Sequence, residues 1–379
     1  MLICCTKKLL DQLNIKPAPC PDVEPLFSWH ANLLRINRRK TVVLVNDKNR
    51  YAIVLYGLKA GDFKKLDQHI AQAIRLTFQE ECIRDEVIEQ FVNHYGQVTF
   101  TKTRGRTPVA RMNNSCQMVL YGHEDLMVEG IYQIGVGIRV SRLLAGDGLN
   151  RYIRPNEEMY KDLADFAAAP IFSCPAAALK ITLDLDEHQV WRQIVLPLNT
   201  TFDQLHQVIQ IAFGWQNYHL HEFFIYGQET LDSGAFINHN HSGYHKEGFK
   251  PIINLVSNED AFDYADKVGG QMILEAGIKL SEYVPAKMKY IYDFGDNWQH
   301  YIEVEKVLAD YDKNHPVCLA GAGNTPPEDV GGQHGYEEFL KIIADKNHPE
   351  YEHMATWGNS QGYRDFDIEM VNRRLETGW

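Results

Sequence analysis

The 379-residue sequence lacks CxxC pairs, long apolar runs and an excess of basic residues. Its seven cysteines are odd in number and scattered, so they predict neither a disulfide framework nor a thiolate zinc site. Because no uninterrupted run of about 18 apolar residues occurs, we expect no membrane span. The first residues also lack the charged-then-apolar order of a signal peptide. We therefore expect a cytoplasmic protein.

The charge balance is acidic, with 50 Asp and Glu against 38 Lys and Arg and a net charge of -12. Non-specific binding to nucleic acid or to anionic membranes depends on basic surfaces, so this balance disfavours both. Arg104, Arg106 and Arg111 form a local basic group. We interpret it as a solvated loop and helix start; a phosphate or nucleic-acid contact is the alternative.

A chain of this length exceeds one typical hydrophobic core, which predicts two domains. Residues 167–178, AAAPIFSCPAAA, are small, uncharged and interrupted by proline, as is typical of a linker. We place the domains at residues 1–168 and 179–379, with the linker at 169–178. Each is predicted to be an α+β domain with a mainly antiparallel sheet packed with helices.

Hydrophobic periodicity supports this fold class in the first domain. Apolar runs at 33–37, 41–45 and 51–56 predict an antiparallel meander, and helical spacing begins at Asp62. Alternation at Tyr132–Val140 predicts a strand, and 156–167 predicts a helix. This half resembles a small uncharacterised bacterial α+β domain, and it contains no catalytic motif.

The second domain begins with a predicted hairpin at 179–196 and a helix at 202–213 that ends at Gly214. Two dense segments follow, YIYDFGDNWQH at 290–300 and PVCLAGAGNTPPEDVGG at 316–332. Each combines acidic side chains with glycine-containing turns. We expect the second domain to be organised around the contact between these two segments.

Together with LKITLDLDEHQVWRQIVLPL, the helix ending in FGW and HLHEF, these segments resemble the plasmid pRiA4b Orf-3-like family. The resemblance covers roughly residues 176–375 in the family's order. It implies an α+β fold and a bacterial or archaeal setting, with some members resembling passenger proteins of mobile elements. Gln193 stands where the family pattern has a second arginine, so we assign no anion contact there.

We predict an acidic pocket, lined by aromatic side chains, that receives a protein or small ligand. Its predicted residues are Trp191, Arg192, Trp215, Asp293, Asp296, Trp298, Glu328 and Asp329. The tryptophans have the alternative of being core residues. Because no nucleophile, base and oxyanion-stabilising set is present, the favoured function is a non-enzymatic binding or adaptor protein.

A metal site in the same pocket is the alternative. His219 and His221 are two apart on a strand-like run and would point to one face. With His300 and Asp293 or Asp296 they could bind zinc or another divalent metal, which would support a metal-dependent hydrolase acting on nucleic acid. The competing interpretation is that the aspartates only shape the turn. No other cofactor is predicted, and His239, His241 and His245 are interpreted as a surface loop over the site.

Overall fold

The computed structural model describes residues 1–146, 151–230, 249–264 and 271–377. The chain divides into an N-terminal unit, Met1–Ser173, and a C-terminal unit, Cys174–Trp379. The division falls inside the predicted linker, but Cys174 already begins the first strand of the C-terminal unit. Sheets packed with helices in both units confirm the two-domain α+β prediction.

The N-terminal unit alternates strands and helices. Its strands are β1 (Leu2–Cys5), β2 (Ser28–Ile36), β3 (Arg39–Asn46), β4 (Ala52–Tyr56), β5 (Thr99–Lys102), β6 (Ala145–Gly146) and β7 (Tyr152–Ile153). Its helices are α1 (Lys7–Leu13), α2 (Ala60–Phe63), α3 (Leu66–Glu80), α4 (Asp85–Asn93), α5 (Arg106–Tyr121), α6 (Ile134–Arg142) and α7 (Pro155–Ala167).

The main sheet of this unit has the order β4-β3-β2-β1-β5. The predicted meander is β2–β4, and β1 runs parallel to both β2 and β5. Apolar side chains are buried on both faces of the sheet. Val42 and Leu44 pack with the helices on one face, whereas Val43 and Val45 pack with Met112 and the helices on the other.

The predicted strand at Tyr132–Val140 is wrong, because Ile134–Arg142 is the helix α6. Its β-branched residues alternate in sequence, but Val136 and Val140 lie one helical turn apart and are both buried. Gly137 lies against β4, where an added Cβ would be 3.0 Å from the Ala52 carbonyl oxygen. Tertiary packing of this helical face overrides the local strand propensity.

The C-terminal unit is built on a larger sheet. Its strands are β8 (Cys174–Leu183), β9 (Val190–Pro197), β10 (His221–Thr230), β11 (Phe249–Val256), β12 (Gln271–Leu274), β13 (Lys287–Tyr292), β14 (Trp298–Tyr311) and β15 (Val317–Ala322). Its helices are α8 (Phe202–Phe213), α9 (Ala261–Tyr264), α10 (Gly332–Ala344), α11 (Tyr351–Ser360) and α12 (Ile368–Thr377).

The strand order is β12-β11-β10-β13-β14-β8-β9-β15, antiparallel except between β11 and β12. The register places the start of β10, the end of β13 and the start of β14 side by side, with His221 opposite Tyr292 and Tyr292 opposite Trp298. Pairing through β8 and β9 places the end of β15 at the same end of the sheet. The loops on this side of the sheet therefore contain parts of both motif segments.

Helix α8 packs its apolar face into the core, as its spacing predicts. Gly214 ends it in the left-handed conformation at φ 81°, and the chain turns toward β10. Of the helices within the described ranges, none combines the length and apolar character needed to cross a bilayer.

Candidate functional site

Four side chains that can bind a metal converge at this side of the C-terminal sheet. His219 lies between α8 and β10, and Asp293 follows β13 directly. Glu328 and Asp329 lie between β15 and α10. We call these four residues the C-terminal cluster.

The His219 Nε2 atom is at the centre of the cluster. It lies 3.1 Å from Asp329 Oδ1, 3.5 Å from Asp293 Oδ2 and 3.9 Å from Glu328 Oε2. Donor atoms from His219, Asp293 and Asp329 all lie within 4.8 Å of one another. Glu328 is buried, whereas the Asp329 side chain is 59% exposed, so the cluster is closed on one side and open to solvent on the other.

The DFGD turn presents Asp293 to the cluster. Its backbone is left-handed at φ 56°, a conformation that aspartate tolerates better than most residues. Its Oδ1 accepts hydrogen bonds from the backbone N–H groups of Gly295 and Asp296 at 2.9 and 3.3 Å. One carboxylate oxygen thus holds the turn, and Oδ2 is directed to His219.

The PPEDVGG loop meets this turn through Asp296. The Gly331 N–H donates to Asp296 Oδ2 at 3.2 Å. Gly332 lies so close that an added Cβ would be 3.1 Å from the Asp296 carbonyl oxygen, and its φ is 68°. Asp296 therefore joins the two motif segments and lies outside the set of converging donors.

The two carboxylate oxygens of Glu328 have different surroundings. Oε1 accepts from the Gln216 N–H at 2.7 Å and from the Tyr292 hydroxyl at 3.0 Å. Within the described part of the chain, Oε2 has no hydrogen-bond partner. Burial raises the pKa of Glu328 above its ordinary value, because it removes the carboxylate from water.

His219 Nε2 also lacks a hydrogen-bond partner among the described residues, although it lies close to three carboxylates. Two ligands of a tetrahedral metal with bonds of about 2.1 Å are about 3.4 Å apart. The distances from Nε2 to the carboxylate oxygens lie around that value. The arrangement can therefore hold a divalent metal through one imidazole and up to three carboxylates.

The three predicted metal histidines do not converge. The strand β10 begins at His221, so His219 precedes it and the alternation argument for a shared face does not apply. His221 Nε2 instead pairs with Glu275 Oε1 at 2.8 Å, and its ring stacks on that of His206 at 3.5 Å. His300 is buried against the rings of Phe213, Trp215 and Tyr290.

Burial lowers the pKa of His221 to about 3 and raises that of Glu275 to about 8. At neutral pH we therefore regard this pair as a carboxylic acid donating to a neutral imidazole. Burial lowers the pKa values of His206 and His300 to about 3 as well. These histidines belong to the interior of the unit.

The predicted aromatic lining is also part of the core. Trp215 and Trp298 are buried, and the Trp215 Nε1–H donates to the Pro326 carbonyl oxygen at 3.0 Å. Trp191 is half-buried, 5.5 Å below the Lys180 ammonium. Trp215 therefore supports the PPEDVGG loop from within, and Trp298 packs in the core beside it. The open side of the site is acidic.

Arg192 is a structural cation. Its guanidinium is buried and stacks over the rings of Phe366 and Phe213 at 3.9 and 5.0 Å. Its N–H groups donate to the carbonyl oxygens of Trp191, Ala212, Ala322 and Gly323 and to the Thr325 hydroxyl. Burial lowers its pKa to about 10, which leaves it charged at neutral pH. It anchors the chain that leads into the PPEDVGG loop.

Other predicted residues lie elsewhere. His239, His241 and His245 fall outside the described residues. In the basic group, Arg104 Nη1 contacts Cys20 and Arg111 Nη1 donates to the Asp47 carbonyl oxygen, whereas Arg106 begins α5.

A second group with metal-binding residue types occurs in the N-terminal unit. We call Cys4, His30 and Asp47 the N-terminal cluster. His30 Nδ1 is 2.5 Å from Asp47 Oδ1, and His30 Nε2 is 2.9 Å from the Arg104 carbonyl oxygen. The Ser28 hydroxyl donates to Asp47 Oδ2 at 2.6 Å. Burial raises the pKa of the Cys4 thiol to about 11, so it remains protonated.

Tyr292 was not predicted as a site residue. Its hydroxyl contacts both Glu328 and the backbone beside His219. The alternation of Tyr290 and Tyr292 in a strand ending at the DFGD turn was a usable signal, because residues two apart share a face. The pattern alone indicates two buried rings and says nothing of their hydroxyl partners.

Comparison with known proteins covers both units. Residues 175–375 match the family described as Plasmid pRiA4b ORF-3-like protein. Residues 2–158 match the family described as Domain of unknown function (DUF6933). The two matches bear out the resemblances drawn from the sequence motifs.

Two relatives each match about half of this chain. The Uncharacterized protein y4hQ of Sinorhizobium fredii is 32% identical over 185 residues, which are 49% of this chain and 81% of that protein. The solved structure of a Protein of Unknown Function, MM3350 from Methanosarcina mazei Go1, is 31% identical. The match covers 52% of this chain and 97% of that one, with a TM-score of 0.39. With a family match over more than half of its length, this chain belongs to the plasmid pRiA4b ORF-3-like family.

Proposed function

We propose that the C-terminal unit is a metal-dependent binding module that holds one divalent ion in the C-terminal cluster. The observation that carries this proposal is the convergence of His219 Nε2 with three carboxylate oxygens. Two of these atoms, His219 Nε2 and Glu328 Oε2, have no hydrogen-bond partner in the described ranges. A bound cation would satisfy both and would offset the repulsion among the carboxylates.

The donor set indicates which ions to expect. Imidazole favours zinc, iron and related transition metals, whereas carboxylates also suit manganese. A mixed set of one imidazole and carboxylates therefore favours Mn²⁺ or Zn²⁺ over Ca²⁺. The exposed side, at His219 and Asp329, leaves room for an oxygen donor of a partner protein or a small ligand to complete the coordination.

The decisive experiment is a titration of chelator-treated protein with Mn²⁺ and Zn²⁺ by calorimetry. The parent and every variant carry alanine at 239, 241 and 245, so that the histidines of the native sequence at these positions cannot bind metal adventitiously. We expect one ion per chain. Asp293→Asn should weaken binding by more than the roughly 10- to 100-fold that the loss of an outer-shell partner costs, because it removes a charged ligand but retains the turn.

Asp296→Asn is the matched control, since it makes the same change in the same turn at a carboxylate that contacts Gly331. Its affinity should stay within about threefold of the parent. Absence of stoichiometric metal in the parent, or equal affinity in Asp293→Asn, would contradict the proposal.

A metal-dependent hydrolase is the second candidate, because catalytic metal sites keep an open position for water. The exposed Asp329 side chain provides such a side. Mn²⁺-loaded protein should then cleave a model phosphodiester, and Asp293→Asn should abolish the turnover. If protein fully loaded with Mn²⁺ shows no turnover, the hydrolase function is rejected and the binding function remains.

The setting is part of the proposal. A cytoplasmic location in a bacterial or archaeal host fits the described cysteines, none of which is joined to another by a disulfide. The family's name refers to a plasmid, which supports the proposed association with a plasmid or another mobile element. The net charge of -12 supports a protein or small-ligand partner over non-specific nucleic-acid binding.

A further inference from the structure

Tyr292 lies on one of the three segments that form the C-terminal cluster and connects the other two. It is the last residue of β13, fully buried, and directly precedes the ligand Asp293. Its hydroxyl donates to Glu328 Oε1 at 3.0 Å. The same oxygen accepts the Tyr218 N–H at 3.0 Å, one residue before His219. A single oxygen atom thus joins the glutamate ligand to the histidine segment.

These contacts set which oxygen of Glu328 faces the cluster. With Oε1 engaged by Tyr292 and by the Gln216 N–H, the carboxylate plane is fixed and Oε2 is directed to His219. An ordinary tyrosine hydroxyl keeps its proton near neutral pH, so this group acts as a donor to Glu328 Oε1. Without the Tyr292 hydroxyl, Oε1 would keep only the hydrogen bond from the Gln216 N–H, and the carboxylate plane would no longer be fixed.

We propose, on the basis of the metal-binding function above, that Tyr292 is the positioning residue of the C-terminal cluster. Its hydroxyl sets the separation between the His219 and Glu328 donors. Hydrogen bonds that orient metal ligands commonly contribute about 10- to 100-fold to metal affinity. Phenylalanine would keep the ring contact with Trp215, whose centroid is 5.0 Å away, and would lose only this oxygen.

The test is Tyr292→Phe in the full chain that carries alanine at 239, 241 and 245. Tyr336→Phe is the matched control, because Tyr336 is also buried and donates to the Asn324 carbonyl oxygen at 3.0 Å. Mn²⁺ affinity is measured by calorimetry, and the Mn²⁺ electron paramagnetic resonance line shape reports the symmetry of the site. Thermal melts of the metal-free proteins report the fold.

We expect Tyr292→Phe to bind Mn²⁺ about 10- to 100-fold more weakly than the parent and with an altered line shape. Tyr336→Phe should lower the melting temperature of the metal-free protein comparably while leaving affinity and line shape unchanged. A purely structural role would change the melts of both variants and the metal readouts of neither.

Parent-like affinity and line shape in Tyr292→Phe would overturn the positioning role while leaving metal binding in place. A parent protein that binds no Mn²⁺ would overturn both the metal function and the role of Tyr292. The parent measurement therefore separates the two failures.

Discussion

The two clusters contain similar residue types and differ in how far their polar atoms are already satisfied. In the N-terminal cluster, both nitrogens of His30 and both oxygens of Asp47 have partners within the protein. In the C-terminal cluster, His219 Nε2 and Glu328 Oε2 have none among the residues that the structure describes. By residue type alone, the two clusters would be equal candidates for a metal site.

Backbone strain and solvent exposure are also greater in the C-terminal cluster. The C-terminal cluster carries left-handed aspartates at both Asp293 and Asp329, with φ of 56° at each. Such backbone conformations cost free energy and concentrate at functional sites. In the N-terminal cluster, Cys4 on β1 and His30 on β2 are buried, and Asp47 directly after β3 is partly buried. The comparison teaches that unmet ligand atoms with an open side indicate a site, whereas a closed network indicates a structural core.

The largest expected difference between the clusters is the response to metal. At 100 to 1,000 times its dissociation constant, Mn²⁺ or Zn²⁺ should stabilise the C-terminal unit by about 3–4 kcal/mol. Chelation should reverse the effect, and the N-terminal unit should not respond. Hydrogen exchange followed by mass spectrometry reads both units in one sample. Equal protection of β1–β3 and β13–β14 on metal addition would remove the distinction.

Disrupting the N-terminal cluster should affect stability without affecting metal. His30→Ala removes a buried imidazole and leaves Asp47 and the Arg104 backbone short of a partner. We expect a loss of about 2–4 kcal/mol in the free energy of unfolding. Chemical denaturation measures this loss, and Mn²⁺ titration of the same variant should match the parent. A weakened Mn²⁺ affinity would link the two clusters.

Acid should destabilise the C-terminal unit, because burial holds the pKa values of His206, His221 and His300 at about 3. From pH 7 to pH 5 the unfolded chain takes up protons at these residues and the folded chain does not, so stability falls. Glu275, with its pKa raised to about 8, is already protonated in the folded chain, whereas in the unfolded chain it takes up its proton only at lower pH. Its effect on stability therefore has the opposite sign and offsets the effect of about one histidine.

The net loss should be about 2–4 kcal/mol. Tryptophan fluorescence during urea denaturation measures it, since every tryptophan but Trp29 lies in the C-terminal unit. Unchanged stability at pH 5 would show that these histidines titrate normally.

The smallest effect should come from Cys4. Cys4→Ala removes one buried sulfur whose thiol pKa is about 11, so we expect a loss of about 1 kcal/mol and no change in metal content. Thiol labelling of the native parent should modify the exposed Cys20 and leave Cys4 unmodified. Rapid labelling of Cys4 would indicate an open cluster.

Patterns in the sequence predicted the fold class and the residues of the C-terminal cluster. Alternation predicted the β2–β4 meander, and glycine-rich turns beside carboxylates indicated Asp293, Glu328 and Asp329, which the structure brings together with His219. It erred at Tyr132–Val140, where β-branched residues lie on a helix, and at His221 and His300. Because β10 begins at His221, His219 lies before the strand, where the two-residue alternation does not determine the direction of its side chain.

Chain length and local pattern were enough to predict two domains, the periodic elements and the acidic turns between them. Which polar atoms come into contact depends on the fold. The oxygen of Glu328 that faces His219, and the role of Tyr292 in orienting it, depend on contacts between residues far apart in sequence. Local pattern carries no information about such distances. Packing of α8, β13 and the PPEDVGG loop at one side of the sheet determines them.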